Sequence, residues 1–165
     1  PETIDGVAER EPIDASGNTS SATLRVVVLA PAVIDCNPKT INVKAKGNYV
    51  TVYIESAGGC FDPANIDVST VTLQAIDPVT SVKLAVATGA PTSVSDGNGN
   101  GVIDRMVKFD RATIQSWFSV DSNIIFVVEG KFLDGRRFEG KDTSVRVINT
   151  GIDHTNEANH GSIQY

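Results

Sequence analysis

The segment TINVKAKGNYVTVYIES, residues 40–56, decides the class of fold. In its first half Ile41, Val43 and Ala45 alternate with polar residues, and a period of two indicates a strand with one buried face and one wet face. The tripeptide KGN, residues 46–48, is a turn signal, and the run that follows it is rich in β-branched and aromatic residues. We therefore expect two strands joined by a turn and paired antiparallel.

The same strand-and-turn pattern continues along the chain, where short Val-, Ile- and Thr-rich runs are separated by Gly, Pro, Asn and Asp. Turn signals at DPVT, residues 77–80, and LDGRR, residues 133–137, favour further antiparallel pairs. A short helix is expected at residues 110–118, with Asp110 as its cap. The predicted strands are 22–30, 40–46, 49–56, 70–76, 81–88, 103–110, 123–133, 136–140 and 143–149.

Strands are not interleaved with long helices, so parallel α/β folds are excluded. The sequence predicts an all-β fold, an antiparallel two-sheet β-sandwich of Ig-like or jelly-roll-like type. At 165 residues we expect one domain with tails. Residues 1–21 are polar and predict a flexible N-terminal arm, residues 22–149 form the β-sandwich domain, and residues 150–165 form a polar C-terminal tail.

Charge and motifs exclude several classes of function. Lys plus Arg number 14 against 20 Asp plus Glu, a net charge of -6, which disfavours nucleic acid and anionic membrane surfaces as partners. No apolar run approaches the roughly 18 residues of a membrane span, so membrane insertion is not expected. No phosphate loop, GxSxG or HExxH motif is present, so we expect no enzymatic activity. A chain that begins at Pro1, without an initiator Met or a signal peptide, is expected to be either a processed mature form, which would point to export, or a trimmed fragment.

The two cysteines, Cys36 and Cys60, bracket a strand-like segment. In an exported chain an even count of cysteines predicts a disulfide between them, worth roughly 3 to 4 kcal/mol by loop closure. The alternative is a pair of reduced, buried thiols in a cytosolic protein. The spacing is not CxxC, which disfavours redox or thiol catalysis.

The stretch DGNGNGVID, residues 96–104, places oxygen-bearing groups at alternate positions among glycines. In a calcium loop, side-chain oxygens come from positions one, three, five and nine, a backbone carbonyl from position seven, and glycine makes the bend at position six. The alternative is an empty hairpin turn, since Asn-Gly is itself a turn signal. The predicted Ca²⁺ ligands are Asp96, Asn98, Asn100, the carbonyl of Val102, and Asp104.

Position twelve of this loop is Val107, where an EF-hand carries a bidentate Glu, and the residues after the loop alternate as in a strand. The loop is therefore not expected to be a helix–loop–helix sensor. The missing acid is expected from Asp110 or from another loop, at Asp62, Asp67 or Asp134. With two formal charges of its own, the loop predicts a Kd of roughly 10⁻⁴ to 10⁻³ M.

Four landmarks carry a family resemblance between residues 34 and 148: PKTINVKAKGNYVTVYI, FDPANIDVSTVTL, DGNGNGVIDRMVKF and FLDGRRFEGKDTSVRVI. In this order they resemble a β-sandwich module that recurs in secreted and cell-surface proteins of bacteria and archaea. The loop alone is similar to the calcium loops of dockerins and integrin-type repeats. The resemblance implies a secreted or cell-surface, calcium-stabilised sandwich of structural or adhesive role, with no activity attached. The cysteine pair and the strand at 22–30 depart from that pattern.

Together these features predict a non-enzymatic extracellular structural protein, a calcium-stabilised subunit that self-associates, or joins other cell-surface proteins, in a filament or surface layer. Strand or tail exchange is the expected route, because the run ATLRVVVLAPAVI, residues 22–34, suits donor-strand addition to a neighbour's sheet edge. The alternative is an accessory carbohydrate- or protein-binding module of a larger secreted enzyme or adhesin. Aromatic residues make up only 6%, which disfavours a glycan platform.

Overall fold

The computed structural model describes residues 27–77, 80–119 and 122–149. The predicted arm at 1–21, the tail at 150–165 and the first part of the predicted strand at 22–30 lie outside the described residues. The domain boundaries therefore stay predictions. Residues 27 and 28 precede the first strand without regular structure.

The regular structure of the described residues is mostly strand with very little helix, which confirms the all-β prediction. One short helix, α1 (Arg111–Gln115), and two 3₁₀ turns, Ala57–Gly59 and Pro63–Asn65, complete these ranges. The strands are β1 (Leu29–Asn37), β2 (Thr40–Asn42), β3 (Tyr49–Ser56), β4 (Ile66–Asp77), β5 (Thr80–Val86), β6 (Ser93–Ser95), β7 (Asp104–Asp110), β8 (Ser122–Phe132) and β9 (Arg137–Ile148).

The strands follow one hydrogen-bonded path, β5-β4-β8-β9-β1-β3-β7-β6, with β2 also beside β9. Strand β1 joins the two halves of this path, because its residues 29–33 pair with β9 and its residues 32–37 pair with β3. This gives the two layers of a sandwich, β5-β4-β8-β9 and β1-β3-β7-β6. Among the described pairs, β1–β9 and β2–β9 are parallel and the others antiparallel, so the sheet is mixed.

The hairpin expected within residues 40–56 does not form. Strand β2 pairs parallel with β9, with Ile41 opposite Val147, while β3 pairs with β1 and β7. The backbone of the intervening segment is satisfied elsewhere, because the Val43 N–H donates to the Ile148 carbonyl and the Gln115 side chain donates to the carbonyl of Ala45. Residues 43–48 therefore connect the two layers rather than turn between adjacent strands.

The other local turn predictions are confirmed. Strands β4 and β5 form an antiparallel hairpin, as do β8 and β9, where Asp134 Oδ1 accepts from the Arg136 N–H at 3.0 Å. The two runs predicted at 136–140 and 143–149 are one continuous strand, β9. Helix α1 is capped by Asp110, whose Oδ1 accepts from the Thr113 N–H at 2.7 Å.

Both layers contribute to one hydrophobic core, as a sandwich requires. Phe138 and Phe132 lie with ring centroids 5.5 Å apart, and Phe61 closes the cluster 4.9 Å from Phe132. The segment after β5 bonds first to β4 and then, through the Thr88 N–H and the Lys108 carbonyl, to β7. The largest fully buried side chains are Phe109, Phe126, Phe138, Ile41, Ile54, Leu73, Ile114, Ile124, Val50, Val52, Val71 and Val107.

The predicted Cys36–Cys60 disulfide is wrong for this structure, in which both thiols are free. Cys36 is buried near the end of β1, whereas Cys60 is exposed with its Sγ 3.6 Å from the Pro31 carbonyl oxygen. Five residues of strand separate Pro31 from Cys36, about 16 Å at the usual rise per residue. A disulfide needs Cα atoms within about 7 Å, so the fold keeps these cysteines too far apart.

Candidate metal centre

Residues 96–103 connect β6 to β7, so the predicted calcium loop is also the turn of a β-hairpin. Gly101 has φ +86°, a conformation that side-chain-bearing residues resist, at the bend where a calcium loop needs glycine. Gly97 approaches β3 so closely that a Cβ there would lie 2.7 Å from Tyr53 Cε1. The loop therefore lies against the outer face of β3.

The loop folds around the side chain of Asp96. Its Oδ1 accepts from the Asn100 N–H and its Oδ2 from the Gly101 N–H, both at 2.9 Å. Asn98 Oδ1 accepts from the same Asn100 N–H at 3.2 Å, and Asn100 Oδ1 accepts from the Val102 N–H at 2.8 Å. The side-chain oxygens of alternate residues, which the sequence predicted to act together, thus lie close to one another within one short loop.

Asp104, the first residue of β7, lies beneath this loop with 0% exposure. Its Oδ2 accepts from the Gly97 N–H at 2.8 Å, but its buried Oδ1 has no hydrogen-bond partner in the described part of the chain. Burial raises the pKa of Asp104 and the charges of Glu55 and Asp96 add to it, against the lowering effect of the Gly97 and Asn98 N–H groups. A buried carboxylate oxygen without a partner is costly, and a cation would satisfy it.

Two acids near the loop were missed by the sequence analysis. Glu55, on β3, lies directly opposite Asp104 in the β3–β7 register and is only 5% exposed. Its Oε1 accepts from Asn98 Nδ2 at 2.9 Å and from Asn100 Nδ2 at 2.7 Å. Asp35, on β1, accepts from Asn98 Nδ2 through its Oδ2 at 3.1 Å. No local pattern signals these residues, because they reach the loop only through strand pairing.

The four acids suggested as the missing ligand have other partners. Asp110 caps α1 at the far end of β7, and Asp62 caps a 3₁₀ turn through the Ala64 N–H at 2.9 Å. The Ser69 hydroxyl donates to Asp67 at 2.6 Å, and Asp134 pairs with Arg136 at 2.8 Å.

Across residues 27–77, 80–119 and 122–149, no three His, Cys, Asp or Glu side chains converge closely enough to hold a metal ion by themselves. A cation at this loop would therefore need amide and carbonyl oxygens as well as carboxylates. This mixed set of oxygens is the kind that Ca²⁺ takes in proteins.

A charged network lies beside the loop. Lys39 Nζ is 2.6 Å from Asp35 Oδ1 and 2.7 Å from Asp142 Oδ2, and the Cys36 N–H donates to the same Asp142 oxygen at 2.8 Å. Burial alone would raise the pKa of Asp142, but Lys39, Ser144 and the backbone donors outweigh it and lower that pKa to about 2. Burial, with Asp142 beside it, raises the pKa of the Cys36 thiol, which keeps that thiol protonated and unreactive.

A polar pocket of about 270 Å³ lies between this network and the loop. Its walls come from β1, β3 and the loop between β6 and β7, and the Asp35 carboxylate links the network to the Asn98 amide. Hydrogen bonds and ion pairs thus run from the loop through β1 to Asp142 on β9. The lining residues are Asp35, Cys36, Asn37, Lys39, Tyr53, Gly97 and Asn98.

Comparisons with known proteins leave the family of the chain open. No protein-family model matches the sequence, and no curated protein matches it. Among solved structures, the chain is similar to AggA, the major subunit of aggregative adherence fimbriae type I from Escherichia coli. The identity is 13% and the TM-score 0.28, over 77% of this chain and 99% of that one, a level that assigns no function. In the described ranges, no helix is both long and apolar enough to cross a membrane.

Proposed function

We propose that the chain is a non-enzymatic, extracellular structural subunit, a β-sandwich that binds Ca²⁺ at residues 96–104 and self-associates at the cell surface. The observation that carries the calcium assignment is the fully buried Asp104, whose Oδ1 lacks a hydrogen-bond partner in the described residues. Asp96 and Glu55 lie close enough to raise its pKa by repulsion. A hard cation with oxygen ligands would contact Asp104 Oδ1 and would also offset the repulsion between the carboxylates.

Calcium at this loop would stabilise the layer that contains β3, β6 and β7. Like charges directly opposite each other on paired strands are destabilising, and Glu55 and Asp104 are such a pair. With a Kd of roughly 10⁻⁴ to 10⁻³ M, about 10 mM free Ca²⁺ would stabilise the fold by about 1.4 to 2.7 kcal/mol through mass action. The loop then acts as a rigid joint rather than a sensor.

Self-association is supported by the free edge at β5. In the described residues β5 pairs only with β4, so its outer backbone groups form a template for an added strand. Leu84 and Val86 on β5 are 55% and 57% exposed, and Ile76 and Ile125 are exposed opposite each other on the neighbouring strands. Exposed apolar side chains at a free edge suit a partner strand with apolar side chains.

The proposed occupant of this edge is residues 22–28 of a second copy, ATLRVVV. The donor run predicted from the sequence extended to residue 34, but Leu29–Asn37 is β1 in the chain's own sheet. Only the part before Leu29 is available for exchange. Leu24, Val26 and Val28 alternate along it and provide one apolar face to contact Leu84 and Val86 on β5.

The calcium part is tested by thermal melting of the whole chain in chelator, then with added CaCl₂ and, as the matched control, MgCl₂. We expect millimolar Ca²⁺ to raise the Tm by several degrees, Mg²⁺ to do less, and Asp104→Asn to abolish the calcium effect. A Tm unchanged by calcium up to about 10 mM would remove the calcium assignment.

The assembly part is tested by sedimentation velocity and electron microscopy of the full chain in calcium over a range of concentrations. We expect multimers that are lost on deletion of residues 1–26 and on the double change Leu84→Lys and Val86→Lys, with circular dichroism confirming that both variants fold. A chain that stays monomeric at high concentration contradicts self-association. Retention of that monomer on an insoluble glycan would favour the accessory-module alternative.

A further inference from the structure

We propose that Glu55, on β3, is the acidic ligand that completes the calcium site, and that Asn98 and Asn100 turn their side-chain amides when the ion binds. The inference rests on the calcium assignment above and deepens it. Glu55, in an adjacent strand, would supply the carboxylate that the loop lacks at its twelfth position. The ion would then tie β3 to the β6–β7 hairpin, instead of stabilising the hairpin alone.

The first support is the placement of two carboxylates. Glu55 and Asp104 are directly opposite residues of antiparallel strands, where Cα atoms lie about 4.5 to 5.5 Å apart. Both are buried, and the hydrogen bonds that the structure gives their side chains come from uncharged N–H donors. The nearby cation Lys39 is paired with Asp35 and Asp142. Two buried carboxylates on directly opposite residues, without a paired cation in the described residues, point to a bound cation.

The second support is the orientation of the two asparagines. Both Nδ2 groups donate to Glu55 Oε1, at 2.9 Å from Asn98 and 2.7 Å from Asn100. Their amides thus occupy the position opposite Glu55 that a cation would take, and they hold the carboxylate in place. A half-turn of each terminal torsion exchanges the amide nitrogen for its oxygen, and it breaks the bonds that the two Oδ1 atoms accept from the Asn100 and Val102 N–H groups. The same residues would then be oxygen ligands to an ion that Glu55 also contacts.

The third support is charge. The loop alone brings two formal charges, from Asp96 and Asp104, and Glu55 brings a third. Because affinity for Ca²⁺ rises with the number of charged ligands, we expect a Kd below about 10⁻⁴ M, tighter than the loop alone predicts.

The closing experiment is isothermal titration of the full chain with CaCl₂ for the wild type, Glu55→Gln, Asp104→Asn and the matched control Glu129→Gln. Glu129 is a partly buried acid on β8 that bonds to Gln74 and Arg137, away from the loop. We expect Glu55→Gln to weaken calcium binding at least tenfold and Glu129→Gln to leave it unchanged. The Gln side chain keeps an acceptor for the asparagine amides, so this variant should fold.

The two proposals fail in different ways. A wild type without a calcium isotherm overturns the calcium assignment. A wild type that binds, with Asp104→Asn defective and Glu55→Gln within twofold of normal, overturns the Glu55 assignment alone. If Glu55→Gln does not fold, Glu55→Asp serves instead, with a several-fold loss expected because the shortened side chain keeps the charge but not the reach. Side-chain amide resonances of Asn98 and Asn100 that do not move on calcium addition would contradict the amide rotation.

Discussion

The ionised Asp142 should make a pH-dependent contribution to stability that can be isolated by mutation. This buried carboxylate accepts from Lys39 Nζ at 2.7 Å, from the Cys36 N–H at 2.8 Å and from the Ser144 hydroxyl at 2.6 Å. Its pKa is lowered from 3.8 to about 2. Since the folded state binds its proton more weakly than the unfolded state, the stabilisation is complete above pH 3.8 and is lost as pH falls through the folded pKa.

The magnitude follows from the size of the shift. A fall from 3.8 to about 2 is nearly two units, and each unit corresponds to 1.36 kcal/mol, so ionised Asp142 contributes about 2 kcal/mol near pH 7. Lys39 stays protonated throughout the acidic range, and the Cys36 thiol stays neutral. Asp142 is the carboxyl group of this network that Asp142→Asn removes, so the pH-dependent difference between wild type and variant reports the lowered pKa of Asp142.

The assay is urea unfolding at several values between pH 7 and pH 2 for wild type, Asp142→Asn and the control Asp134→Asn. We expect the gap in unfolding free energy between wild type and Asp142→Asn to shrink by about 2 kcal/mol from pH 7 to pH 2. Asp134 pairs with Arg136 on the surface, where solvent screens the pair, so its variant should show no resolvable pH-dependent gap. A gap for Asp142→Asn that does not change with pH would show that the ionisation of Asp142 does not stabilise the fold.

Three further predictions concern the thiols, the core and the loop. A thiol reagent added to the native protein should modify the exposed Cys60 and leave the buried Cys36 intact. A reducing agent should not change the Tm; a Tm that falls on reduction would show that the two cysteines form a disulfide after all. Phe138→Ala should lower the unfolding free energy by about 3 to 5 kcal/mol in urea, because the ring is fully buried, and a loss under about 1 kcal/mol would contradict its place in the core. Tb³⁺, which binds oxygen ligands as Ca²⁺ does, should luminesce on excitation of Tyr53, because the Tyr53 ring lies against Gly97 of the loop. Tyr53→Phe should lose most of this luminescence. An undiminished signal from that variant would mean that the ion binds elsewhere.

Features encoded in neighbouring residues were predictable from the sequence. The strand class follows from period-two alternation, the α1 cap from Asp110, and the convergence of Asp96 with Asn98 and Asn100 from their spacing around glycine. Each depends on contacts within a few residues, which local physics dictates.

Features that depend on strand order were not predictable from one sequence. Glu55 reaches Asp104 only because β3 pairs with β7 in one register, and nothing near Glu55 in the sequence signals that pairing. The turn signal at residues 46–48 suggested a hairpin, yet β2 instead pairs with β9, placing Ile41 opposite Val147 in the core. The cysteine count likewise gave no information about their separation in the fold, where Cys36 lies near the end of β1 and Cys60 lies beside Pro31, near its start.

The parallel pairing of β1 with β9 has a mechanical consequence. The described chain enters at the start of β1, beside Arg137, and leaves at the end of β9, at Ile148. Tension applied at these two points pulls the parallel strands past each other along their length, so the hydrogen bonds between Leu29–Val33 and Arg137–Lys141 share the load at the same time. A pair loaded in shear ruptures all at once rather than one bond after another, as would occur if the strands were peeled apart. The domain, when pulled at Leu29 and Ile148, would therefore resist extension at this strand pair before the rest of the sandwich opens.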